Sequence, residues 1–258
     1  MGPMRTLILA ALDTGDAAGP VLQTALRLGE ITGTLVEAVH VGDGASGPLE
    51  SLVGQAGVPL RSLVGPVQRS LLGAIEAPEI LAVVVGARAV RSGRHPVGKT
   101  ARYILEHSSK PIVVVPPEAL VAGRLKVMLV PLEGTEASSH PVLDALGALL
   151  HDDVEVVVLH VFTEETRPRM LDRPVRDLEM LGREFLTKHL PKTKRIELRS
   201  GSVATSVAEA CQELDVDLIV LSWDQDTSRG RAEVVRDVVG FVSVPVLLLP
   251  TRTNDRSA

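Results

Sequence analysis

VVVGARAVRSGRHPVGKTARYILEHSSKPIVVVP, residues 83–116, decides the fold class. It runs from an unbroken aliphatic stretch through a basic, glycine-bearing loop into a helical pattern. A proline then admits a second aliphatic stretch. Continuous apolar runs, rather than alternating ones, mark strands covered on both faces. A helix between two such strands returns the chain to start the next strand in the same direction, so the sheet is parallel and doubly wound.

The same plan closes the chain. DLIVLSWDQDTSRGRAEVVRDVVGFVSVPVLLLP, residues 217–250, again runs strand, loop, helix, proline, strand. Further out, Leu12–Val41 lies over Leu132–Val161 without a gap, and His40 falls on His160. Val64–Gly86 lies over Ser200–Ser222, and KPIVVVP from Lys110 matches VPVLLLP from Val244. Three matches in one order identify an internal duplication. Strands are expected near 5–11, 34–41, 60–64, 80–86 and 111–115, and again near 125–131, 154–161, 194–198, 217–222 and 244–249. Helices are expected at Ala17–Ile31 and Val203–Leu214 among others. The first copy is glycine-rich over Gly42–Gly57, where the second has a long charged helix at about 172–189. The expected domains are 1–118 and 124–252, with PPEALVAGRLK as the linker.

Composition agrees. The chain has 258 residues, 45% of them hydrophobic but only 2% aromatic, so the core is aliphatic. A net charge of −5 and few aromatic rings leave neither a basic track nor a stacking platform, which argues against nucleic acid as a partner. No run of apolar residues is long enough to span a membrane. The single cysteine, Cys211, rules out an intrachain disulfide and favours a reducing, cytoplasmic location. On a predicted helix, it reads as a packed side chain.

The last strand of each copy is apolar and flanked by prolines, Pro111 and Pro116 or Pro245 and Pro250. Such strands suit a sheet edge, and an apolar edge needs a partner. The simplest partner is the other copy's last strand, so residues 113–115 and 247–249 are expected to meet across a pseudo-twofold axis. The result is an intramolecular pseudo-dimer. Further assembly into a homodimer is left open.

Ligands of open parallel sheets bind beyond the carboxyl ends of the strands, where strand order reverses. In the first copy that crevice is flanked by Asp13 and by the loop carrying Gly86, Gly93 and Gly98. Arg88, Arg91, Arg94, Lys99 and Arg102 accompany the glycines, and no acidic residue occurs between Glu79 and Glu106. Small residues before a helix N-terminus favour an anion. A solvated basic loop is the plainer alternative. Asp13 could cap the next helix or accept a bond from a ligand, and capping is the commoner role. The second copy puts Trp223 where the first has Ala87, and adds Asp224, Asp226, Glu233 and Asp237. A bulky ring and carboxylates there would oppose a polyphosphate. GRHPVGKT, from Gly93, fits the P-loop pattern. Six residues separate it from its strand, however, and no magnesium-binding strand follows. The histidines show no metal-ligand spacing, and His40 and His160 suggest one shared structural role. Ser200-Gly-Ser202 has no partner base and resembles a helix N-cap.

The two-copy pattern resembles the universal stress protein family in its tandem form. The marks are TLILAALD, EAVHV and the 83–116 stretch in the first half. KVMLVPLEGTEAS, VVLHV and the 217–250 stretch mark the second. The resemblance implies two five-stranded, adenine nucleotide alpha hydrolase-like α/β domains with strand order 3-2-1-4-5, paired through their fifth strands. It implies a stress-response or signalling protein without a catalytic constellation, acting on an unidentified protein partner. Some members bind ATP through Gly, two residues, Gly, nine residues, Gly-Ser/Thr, and others lack that signature and do not; the cofactor implied here is ATP, with magnesium as its companion. Here Gly86 fits the first glycine and Gly98 the last. Ala89 replaces the middle one, the gap is one residue short, Lys99 stands where Ser or Thr belongs, and Thr100 follows one place late. Arg88 lies between. The adenine-side positions implied are Ala11, Leu12, Asp13 and Val41. The first half is the expected adenine nucleotide site and the second is expected to be empty. A nucleotide-free interaction protein and a P-loop NTPase are the alternatives.

Overall fold

The computed structural model describes residues 6–42, 47–87, 97–119, 123–132, 154–162, 195–223 and 231–250, with backbone alone at 231–234. The first half runs β1 (Leu7–Ala11), α1 (Ala18–Thr32), β2 (Leu35–Val41), α2 (Gly47–Gln55), β3 (Leu60–Leu63), α3 (Val67–Ile75), β4 (Ile80–Gly86), α4 (Lys99–His107) and β5 (Ile112–Val115). The second contains β6 (Val127–Pro131), β7 (Glu155–Phe162), β8 (Arg195–Ser200), α5 (Val203–Glu213), β9 (Leu218–Trp223), α6 (Arg231–Phe241) and β10 (Val246–Pro250). The charged helix expected near 172–189 lies outside the described residues.

Within each half all strand pairs are parallel, in the order 3-2-1-4-5 counted from that half's first strand. The two sheets are joined edge to edge into one ten-stranded sheet, β3-β2-β1-β4-β5-β10-β9-β6-β7-β8. The joint is antiparallel: Val114 faces Val246, Val113 faces Leu247 and Ile112 faces Leu248. The meeting expected of the proline-flanked strands is therefore present. Both prolines are still tied into the sheet through their acceptors, since the carbonyls of Pro111 and Pro245 accept from the Val83 and Ile219 N–H groups.

Successive side chains on each strand enter opposite faces, so each aliphatic run feeds two cores. Leu9, Val83, Val85, Ile112 and Val114 join one cluster with α3, α4, α5 and α6. Ile8, Ala10, Val84, Val113 and Val115 join the other with α1 and α2. Both clusters continue across the joint into the second half. Helix α1 buries Ala18, Val21, Leu22, Ala25 and Leu28 at helical spacing and stops at Gly33, whose φ of 63° suits a residue without a Cβ. The glycine-rich segment after β2 still forms α2, because Leu49 and Val53 share one buried face.

The duplication extends to single hydrogen bonds. His40 Nδ1 lies 2.9 Å from the Leu12 carbonyl, and His160 Nδ1 lies 3.0 Å from that of Leu132. A carbonyl only accepts, so Nδ1 carries the hydrogen in both rings. Each bond ties the end of the second strand to the end of the first. At the open end of β8, Arg195 pairs with Glu155 and Glu197, and Arg199 with Glu209 and Glu213. Among the described residues no helix is long and apolar enough to cross a membrane.

Leu247 is 3% exposed at the joint, whereas Leu35, at the start of β2, is 55% exposed. Leu247→Ala is expected to lower the unfolding free energy by about 2–4 kcal/mol through lost burial and a cavity. Leu35→Ala should change it by less than about 0.5 kcal/mol. Urea unfolding of the two variants checks both.

Candidate functional site

A cavity of about 230 Å³ opens at the carboxyl ends of β1, β2 and β4, where strand order reverses between β1 and β4. Ala11, Leu12, Asp13, Val41, Gly86 and Thr100 line it. These six come from four separate segments, and the topology brings them together. Gly98 and Lys99 adjoin it at the start of α4. Arg88 and Ala89 lie outside the described residues, as do Arg91, Gly93 and Arg94.

The walls are mostly aliphatic. Val67 and Leu71 of α3, His40, and Ala17, Ala18 and Val21 at the start of α1 also line it, contributions that sequence reasoning misses. Val67 and Leu71 carry only the spacing of an ordinary buried helix face. Val64, 79% exposed, and Val67, 46% exposed, flank the Gly-Pro corner that leads into α3. With Nδ1 engaged, a neutral His40 keeps Nε2 as an acceptor.

Polar character enters from chain turns and helix ends. Asp13 does not cap α1. Its Oδ1 accepts from the Gly15 N–H at 2.9 Å, closing a turn two residues on, while the N-cap is Ala17 with no side-chain bond. A carboxylate this exposed is satisfied by the nearest N–H before the helix begins. Ser202 does stand at the N-cap of α5, also without a side-chain bond. At α4, Gly98 is the N-cap in extended conformation, and the first intrahelical bond runs from Arg102 N–H to the Gly98 carbonyl. The N–H groups of Lys99, Thr100 and Ala101 therefore have no intrahelical acceptor, and no acidic residue occupies the first turn. The positive end of the helix faces the cavity through Thr100 and Ala101.

Gly86 has a packing reason of its own. A Cβ added there would lie 2.8 Å from the Ala17 Cβ, so the end of β4 touches the start of α1 only because the glycine is bare. Trp223, expected to crowd the matching crevice of the second half, is a core residue beside the joint, and the loop that follows it lies outside the described residues. Trp223 is 6% exposed within the core cluster that contains Leu105, and its indole N–H donates to the Leu105 carbonyl of α4 at 3.0 Å. At this step along β9 the side chain enters the face covered by the helices beside the joint.

Helices α3 and α4, which wall the cavity, are held together at both ends. Gln68 Nε2 donates to the Lys99 carbonyl at 3.2 Å near the cavity. At the far end Glu76 accepts from the Ser108 hydroxyl at 2.7 Å, the Ser109 N–H at 3.0 Å and the Ser109 hydroxyl at 2.7 Å. Burial works to raise the Glu76 carboxyl, but these bonds and the Lys110 charge outweigh it and hold it below its usual value. Cys211 is buried, and burial pushes its thiol up to about 12 against the opposing charge of Arg199. A thiol so protonated is a poor nucleophile. Among the described residues no group of three His, Cys, Asp or Glu could hold a metal ion.

Gly86→Ala is expected to destabilise the protein by about 1–3 kcal/mol through overpacking against Ala17. Gly73→Ala, on the exposed side of α3 with open space around it, should stabilise it by about 0.5–1 kcal/mol. Thermal unfolding of both variants reads the difference in sign. The contribution of Glu76 is present above the unfolded glutamate value and lost as pH falls through its lowered folded value. Glu76→Gln should therefore narrow the loss of stability between about pH 5 and pH 3 by roughly 1 kcal/mol or less, since the group is exposed. Denaturant melts across that range check it.

Residues 124–250 match the model of the Universal stress protein family. Among solved structures, the fold is similar to that of a functionally unknown protein from Pseudomonas aeruginosa PAO1. That protein is 11% identical with a TM-score of 0.67, over 96% of this chain and 93% of that one. It is also similar to a putative universal stress protein from Pseudomonas aeruginosa UCBPP-PA14, at 12% identity and a TM-score of 0.66, over 96% and 94%. A universal stress protein from Archaeoglobus fulgidus DSM 4304 is 14% identical with a TM-score of 0.64, over 96% and 99%. At these identities the likeness is one of fold, and it spans both halves. Comparison with curated proteins found no match. Residues 124–250 are thus a universal stress protein family domain, and the first half repeats its fold in tandem.

Proposed function

We propose that this chain is a stress-response regulator whose first half binds an adenine nucleotide, and that it acts by binding rather than by catalysis. The observation that carries this reading is the convergence of Ala11, Leu12, Asp13, Val41, Gly86 and Thr100 on one cavity at the strand-order reversal. Its aliphatic walls suit a base and sugar. At about 230 Å³ it is small for a whole nucleotide, since small-molecule pockets commonly run to about 300 Å³ or more. The phosphates would lie outside, beside the N–H groups at the start of α4 that have no acceptor within the helix, where helix polarity and Lys99 favour negative charge. Bound nucleotide would favour one arrangement of the loop before α4 and so alter binding of a protein partner in the cytoplasm.

A second reading is a nucleotide-free interaction protein on the same scaffold. It is favoured by Gly86, whose bare Cα is already explained by contact with Ala17.

Calorimetric titration with ATP and magnesium separates these readings. Measurable binding without turnover, weakened about three- to tenfold by Lys99→Ala, is the expected result for one exposed charge beside a phosphate. Absence of both heat and thermal shift would remove the nucleotide and leave the second reading. Sizeable ATP hydrolysis abolished by Lys99→Ala would assign the chain to the P-loop class.

A further inference from the structure

Helix α4 is held by two different halves of the molecule. Its first turn gives Thr100 and Ala101 to the cavity. Near its other end the Leu105 carbonyl accepts from Trp223 of the second half, a buried bond between residues 118 apart in sequence. Carbonyls in a last helical turn have no intrahelical partner. That of Ile104 is taken by the Ser108 N–H, and one residue back the Tyr103 carbonyl also meets His107 Nδ1, both local. Only the Leu105 bond, of these three, crosses the joint.

The joint is lopsided at this point. Trp223 occupies the place that Ala87 occupies in the first half, and Ala87, 7% exposed in the same cluster, has no ring and no donor to offer α6. So the helix beside the cavity is fastened by an indole, and its counterpart is not fastened in this way. A helix of nine residues is little over two turns long and behaves as a stiff rod. Shifting it at Leu105 also shifts Thr100 and Ala101.

We infer that Trp223 is a positioning residue for α4, through which the second half sets the shape of the first half's cavity and senses its occupant. The sensing rests on the reading of that cavity as a nucleotide site; the positioning does not. Trp223→Phe keeps an aromatic ring but loses the donor. In the ligand-free full chain, amide exchange at residues 102–105 should become about fivefold faster, the scale of one hydrogen bond, while that of α3 stays unchanged. Unaltered exchange at 102–105 overturns the inference. Trp223 is the only tryptophan in the chain, so tryptophan emission reports its surroundings at the joint. Titration of the wild-type protein with ATP and magnesium should shift that emission in step with the binding heat. Binding heat with unmoved emission overturns the inference and leaves the proposed function standing. Should ATP give no heat, the proposed function falls, and the exchange measurement alone decides whether Trp223 positions α4.

Discussion

β5 and β10 each finish a five-stranded parallel sheet with aliphatic side chains and a row of backbone groups that their own half cannot pair on both sides. Left open, such an edge would recruit any passing strand. Antiparallel pairing of the two satisfies both rows at once and buries Val113, Val114, Val246 and Leu247. The sheet becomes continuous, and both cores become continuous with it. The helices on each side then share one packed layer, which lets a residue of β9 reach the backbone of α4.

Placement of the cavity follows from topology. Chain order reverses between β1 and β4, so the connections leaving them diverge to opposite faces and leave a gap. What the gap can hold is set locally. Aliphatic residues from three strands, α1 and α3 make it apolar, and the start of α4 supplies N–H groups on one side. Asp13, spent partly on its own turn, keeps one carboxylate oxygen with no hydrogen bond among the described residues. The two halves share His40 and His160 and their bonds, yet differ at Ala87 and Trp223. The bonds that tie the strand ends are common to both halves, whereas the residues at this point of the joint differ.

Much of this is legible in the sequence, for physical reasons. A strand buried on both faces must be apolar at every position, so 80–86 and 112–115 announce themselves. Pro111 and Pro245 mark strands that can lie at an edge, and the apolar character of those strands demands a partner. Cys211 on an apolar helix face reads correctly as packed. Side-chain direction is harder to read. A single step along a strand turns a residue to the opposite face, and nothing near Trp223 in sequence reveals that it meets Leu105. The turn at Asp13 depends on an N–H two residues away, in competition with a helix start four residues away. Val67 and Leu71 resemble any buried helix stripe. Their place at the cavity exists only once β1, β2 and β4 are side by side.

The way the halves meet also limits what the molecule can become. An antiparallel joint between equivalent strands is self-complementary, with each half giving and receiving the same surface. Once made, it offers nothing to a third copy. The free edges are β3 and β8, and β8 carries arginines paired with glutamates, charged side chains of the kind that discourage edge-to-edge pairing. Joining the two repeats in one polypeptide therefore makes the pairing independent of protein concentration. It also allows one member of the pair to evolve for the benefit of the other.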